Sequence, residues 1–236
     1  MPKPLKAIGL SCFGLLLTLT ALLQIHAQDT KASYTSMAPL DQYLTERDTE
    51  IALARSAAPP SISNDAEVMV FGKHGYEVAV KGKNGFVCMV LLGWTAAFDD
   101  PGFWNPKERG PACFNPAGAR SFLPLVFKKA ELMLVGRSKV QMIEAISAAI
   151  DKKELPSMEP GAMCYMMSKQ GHLNDEVGHW HPHLMFFVPL ADAGTWGEDL
   201  PGSPVIAAKD EVARMITFMI VVRKWSDGTP DVPEAH

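Results

Sequence analysis

The first apolar segment runs from Ile8 to Leu23, interrupted only by small or hydroxyl residues. Lys3 and Lys6 precede it and Ile25-His26-Ala27 follows. A positive start, an apolar stretch and a terminal small residue predict a secretory signal peptide over 1–27, cleaved after Ala27. The run falls just short of the roughly 20 residues of a bilayer span, which argues against an uncleaved anchor. Cys12 sits inside the run rather than after it, which argues against a lipoprotein. Residues 28–37 read as a flexible mature N-terminus, 38–225 as a single globular domain, and 226–236 as a loose C-terminal tail bearing prolines.

Between Pro39 and Ala57, Leu40, Tyr43, Leu44, Ile51 and Ala54 recur at intervals near three and four, the spacing of a helix, and Pro59-Pro60 ends it. Three short runs follow, 67–71, 76–81 and 86–94, rich in valine, aromatic residues and methionine. Gly72-Lys73-His74-Gly75 and Gly82-Lys83-Asn84-Gly85 separate them, and glycines bracketing each turn suit tight hairpins. The pattern predicts a three-stranded antiparallel meander. It does not match a phosphate-binding loop, because the P-loop spacing is absent and a strand rather than a helix follows.

Residues 95–115 carry Pro101, Gly102, Pro106, Gly110 and Pro111 and read as an irregular loop. Asn115 is a helix N-cap with Pro116 at the first helical position, Pro124 kinks or breaks the helical section, and Gly136 ends it. Ser138 and Gln141 form a capping-box pattern that opens a second helix, with Val140, Ile143, Ile146 and Ile150 on one face. The last third returns to strand patterning at 162–168, 184–188, 205–207 and 215–223. The predicted class is α+β: a mostly antiparallel sheet of six to seven strands with helices packed on one face.

Composition adds compartment and excludes partners. Without residues 1–27 the chain has 20 basic against 26 acidic side chains, so it carries no electrostatic footprint for nucleic acid. No later segment is long and apolar enough to span a membrane. Export to the periplasm or the medium places Cys88, Cys113 and Cys164 where disulfides persist, and an odd number leaves one thiol over. Cys88 and Cys113 are the expected pair, pinning the irregular loop to the sheet.

Candidate chemistry concentrates in Gly178-His179-Trp180-His181-Pro182-His183. In an extended chain, alternate residues share a face, so His179, His181 and His183 would point one way, toward a transition metal such as zinc or copper. His172 and Glu176 are the next ligands in line. A straight strand sets same-face neighbours nearly 7 Å apart, at about 3.3 Å per residue, so His179 with His181 is the expected pair and His183 faces the core. The nearby methionines and Cys164 suggest copper. However, pairing Ser168 with His183 and Cys164 with Phe187 would put that thiol about 13 Å from the histidine end, so the methionines read as core filler.

A second candidate is the loop carrying Asp99, Asp100, Phe103 and Trp104, where aromatics and carboxylates could receive a ligand or fold back over the core. There is no Gly-x-Ser-x-Gly elbow, no zincin motif, no haem attachment and no dinucleotide fingerprint. Two functions follow. One is non-catalytic binding of a small ligand or protein partner through this loop and the sheet. The other is a metal-binding protein or metal-dependent enzyme built on the histidines. The first is preferred because no acid, base or nucleophile constellation is complete.

Overall fold

The structure, a computed structural model, describes residues 34–175 and 178–231. The signal peptide expected over 1–27, Glu176 and the end of the tail lie outside the described residues.

Among the described residues eight strands form one sheet: β1 (Glu67–Gly72), β2 (Gly75–Val80), β3 (Val87–Leu91), β4 (Gly110–Phe114), β5 (Met163–Met166), β6 (His183–Pro189), β7 (Val205–Asp210) and β8 (Met215–Val221). Their order is β2-β1-β3-β4-β5-β6-β8-β7. Five helices accompany them: α1 (Arg47–Arg55), α2 (Pro60–Ser63), α3 (Pro116–Ser121), α4 (Leu123–Leu134) and α5 (Lys139–Asp151). The α+β arrangement agrees with the sequence. The sheet has eight strands rather than six to seven, and it is mixed, because β1 and β3 run parallel in an otherwise antiparallel set.

The added strand is β4, within the segment read as irregular. Its residues Gly-Pro-Ala-Cys-Phe look like breakers, yet all are buried. Cys88, Met89 and Val90 of β3, and Ala112, Cys113 and Phe114 of β4, are each fully buried although consecutive residues point to opposite faces. The centre of the sheet is therefore covered on both faces, not on one, and strands in that position lose the alternation by which they are recognised. Cys88 and Cys113 stand directly opposite each other on β3 and β4 and are joined in a disulfide.

The expected meander is corrected as well. The turn at Lys73-His74 is a hairpin, with Gly72 opposite Gly75. The second glycine pair instead carries the chain across the start of β1, so β3 pairs with β1 rather than β2. Gly82 makes this crossing possible: a Cβ there would lie 2.1 Å from Glu67 N. Lys83 N then donates to Asp65 O at 2.7 Å.

A bulge also intervenes between β1 and β2. Val68 faces Val80 and Met69 faces Val78, which leaves Ala79 as an extra residue. Val78 and Val80 then point to opposite faces, although strict alternation would put both on one face, and Val78 is 45% exposed.

Beyond their two paired residues, β1 and β3 part, and side chains satisfy backbone groups there. Phe71 N donates to Glu50 Oε1 of α1 at 2.8 Å, and the Tyr76 hydroxyl donates to Val90 O at 2.8 Å. Glu50 is buried, and burial pushes its carboxyl up to about 7 against the opposing pull of the Phe71 amide and Arg109. The 95–109 segment is anchored similarly. Lys129 of α4 is buried, donates to Ala96 O at 2.7 Å and lies 4.4 Å from the Phe98 ring centroid. Burial lowers its amine to about 8. Phe98, Phe103 and Trp104 are all buried, Phe103 stacking on Phe98 and meeting Trp104 edge-on.

Two outcomes follow. A raised carboxyl favours the folded state most at low pH, and that contribution is lost as pH rises from about 4.5 through about 7. Glu50→Gln keeps an acceptor for Phe71 N, so its stability relative to wild type should rise between pH 5 and pH 8, by at most about 3 kcal/mol. Thermal unfolding at the two pH values checks this, and a pH-independent difference would contradict it. On the bulge, Val68→Ala should cost about 2 kcal/mol, whereas Val78→Thr should stay within about 0.5 kcal/mol. Equal costs in denaturant unfolding would remove the bulge argument.

Candidate functional site

The histidine segment is not one strand. β6 begins only at His183, and residues 179–182 approach it in irregular conformation. Leading into it, Gly178 N donates to Asn174 O at 3.0 Å and Leu173 N donates to Gly178 O at 2.6 Å. Just upstream, His172 and Arg109 exchange backbone hydrogen bonds of 2.9 and 2.7 Å, which fasten this segment to the approach of β4. The Arg109 guanidinium in turn donates to Thr45 Oγ1, Pro106 O and Glu108 O.

His183 is held on two sides. It faces Met166 across β5 and Val221 across β8. It is 3% exposed. Its Nδ1 lies 2.7 Å from His181 O. A carbonyl only accepts, so Nδ1 carries the proton and Nε2 keeps a lone pair. Burial lowers the imidazole's affinity for a second proton. The Trp180 ring lies against it, centroids 4.7 Å apart.

The other histidines turn elsewhere. His181 is exposed and its Nδ1 donates to Asp231 Oδ2 at 2.6 Å. His179 is exposed with its ring 5.6 Å from that of Trp225. His172 Nε2 lies 3.1 Å from Asp175 Oδ1, and Asp175 also receives the Tyr34 hydroxyl and faces Lys107. Those hydrogen bonds, led by Tyr34, hold the Asp175 carboxyl below its ordinary range. The three alternate histidines thus do not share a face. Among the described residues no group of three or more His, Cys, Asp or Glu side chains is placed to hold a metal ion.

What the fold does bring together is a small cleft. Met166, Ser168 and His183, at the ends of β5 and β6, meet Leu173, His179 and Trp180 from the connecting segment. It has room for about one water molecule. The β5–β6 register explains Met166: it lies opposite His183, and Cys164 lies opposite Met185, two residues from the register expected. A shift of two keeps every face but slides the methionine to the histidine. Ser168 commits its hydroxyl elsewhere, 2.6 Å from Ser56 Oγ and accepting from Gln170 N.

The loop candidate is distributed differently. Phe103 and Trp104 belong to the core, Asp100 Oδ1 accepts from Gly102 N in a local turn, and Asp99 is exposed. Glu108, beside Asp100 and Asp175, has its carboxyl raised to about 8, by burial first and by those charges second. Backbone hydrogen bonds connect the described part of the tail to the domain. Ser226 N donates to Met167 O, Trp225 N to Thr229 O and Asp231 N to Arg223 O, each at 2.9 Å.

The tautomer is directly observable. Long-range ¹H–¹⁵N spectra at neutral pH should show His183 as the Nδ1–H form, and an Nε2–H pattern would contradict the assignment.

No protein-family model, curated protein or solved structure matches this chain.

Proposed function

We propose that this chain is an exported, non-catalytic binding domain whose ligand sits in the cleft lined by Met166, His179, Trp180 and His183. The supporting observation is a buried imidazole that lines a cleft beside a second imidazole and an indole, and whose Nδ1 is committed to a backbone carbonyl so that Nε2 keeps its lone pair. Binding is favoured over catalysis because the neighbouring hydroxyl, Ser168, is engaged with Ser56 and Gln170 and so is not activated by His183. The 95–109 loop is the weaker locus, since its aromatics serve the core. Pockets for drug-sized ligands enclose roughly 300–1,000 Å³. This cleft admits about one water, so the ligand is of ionic size or a small group projecting from a larger molecule.

Native mass spectrometry and elemental analysis of the exported chain, made without a histidine tag, test the reading. The expected result is a small bound species, and indole signals of Trp180 that move when it is removed. The reading fails if nothing is bound and the Trp180 signals ignore added zinc, silver, acetate and imidazole.

A further inference from the structure

Resting on the cleft reading above, we propose that the ligand is a soft monovalent metal ion of the copper(I) type, held by Met166 together with His179 and His183. All three residues line the same cleft. Met166 and His183 are directly opposite each other on antiparallel β5 and β6, where facing Cβ atoms lie about 4.5–5.5 Å apart. Both are almost wholly buried, so neither donor is merely a solvated surface group. Gly110 leaves room for the methionine: a Cβ there would stand 3.1 Å from Met166 Cε.

The donor set selects the ion. A thioether and two imidazoles are neutral donors, and among the described residues no carboxylate lines the cleft. Calcium and magnesium require oxygen ligands, and among the described residues no such cage surrounds the histidines. Structural zinc is closed by four ligands, commonly including charged thiolates. Thioether sulfur with imidazole suits copper(I), and a single positive charge costs least to place among neutral donors in a partly buried site. The size of the cleft points the same way, since it accommodates an ion and not an organic molecule. His183 also has the support found behind metal-bound imidazoles, its second nitrogen tied to a backbone carbonyl. Binding involves no change of oxidation state.

Silver(I), a redox-inert stand-in, is titrated into the full mature chain while the Met166 methyl and Trp180 indole signals are followed. Copper(I) is then titrated without oxygen against a competing chelator. One ion per chain is expected, shifting both signals. Met166→Leu and His179→Gln should each weaken silver binding at least tenfold. Both should keep the wild-type circular dichroism, because Met-to-Leu conserves volume and His179 is exposed. Silver binding that is unaffected by Met166→Leu, or that leaves the Met166 methyl unmoved, overturns the proposal. If zinc moves Trp180 and silver does not, the soft-ion assignment falls while the cleft reading stands. If neither ion moves Trp180 but acetate or imidazole does, the same separation holds. Silence toward every probe removes both.

Discussion

Strand β4 has no water on either face, and much of the remaining architecture answers that constraint. Ala112, Cys113 and Phe114 are each fully buried, so something apolar must lie above and below them. On the Phe114 side the rings of Phe122 and Phe187 supply it, in a stacked cluster with centroids 4.1–6.0 Å apart. On the other side Cys113 meets Cys88 across the ladder. A strand so enclosed cannot leave its backbone groups to solvent, and its N-terminal approach accordingly continues as Arg109 exchanging bonds with His172. That exchange carries order outward from the core to the segment bearing His179 and Trp180. The cleft is therefore a consequence of how the central strand ends.

The same dense centre contains three side chains that prefer water. Glu50, Arg109 and Lys129 are drawn in because backbone groups there lack ladder partners. Glu50 takes the Phe71 amide, Lys129 the carbonyls of Thr95 and Ala96, and Arg109 the carbonyls of Pro106 and Glu108. Each charge costs desolvation, visible in the carboxyl raised to about 7 and the amine lowered to about 8. Removing any of them would strand buried backbone groups, which costs about as much as a lost hydrogen bond or more. They are best understood as loop anchors. Lys129 has its amine against the Phe98 ring and is not among the residues that line the cleft.

What could be read from the sequence depended on whether the signal was local. The capping box at Ser138 and Gln141, the Asn115 cap with Pro116 after it, and the hairpin at Lys73-His74 all formed where the residues indicated. These depend on neighbours within four residues. The failures were non-local. Two glycine pairs of identical appearance did different work, because Gly82 had to pass within a bond's reach of Glu67, and nothing near Gly82 announces that. Ala79 bulges out of β2 without a glycine to mark it. β4 was hidden because burial on both faces erases alternation. The β5–β6 register, off by two residues, made Met166 look like filler, and only the connecting segment's folded length could have placed it opposite His183. Of the site, His179 and His183 were legible by residue type, Met166 was legible as a soft donor but not by position, and Trp180 by nothing in the local pattern.

The two walls of the cleft are built with different stiffness, and that difference bears on how it can bind. His183 is fixed by ladders to β5 and β8 and by the bond from its own ring to His181 O. Such a donor cannot move far without opening the sheet. The facing wall is tied by the hydrogen bonds of Gly178 to Leu173 and Asn174, by the His172–Arg109 exchange, and by the Trp225 ring beside His179. It is exposed at His179, which lies outside the ladder that holds His183, and exposure without ladder pairing marks a segment that adjusts at lower cost. One rigid donor presented to one adjustable wall lets a small ligand draw the second imidazole inward while paying little ordering entropy at the first. It also separates the effects of substitution. A change at His183 disturbs the sheet and the site together, whereas a change at His179 reaches the site alone. Met166 belongs to the rigid wall by position but carries a flexible thioether, so its sulfur can follow an ion that its backbone cannot.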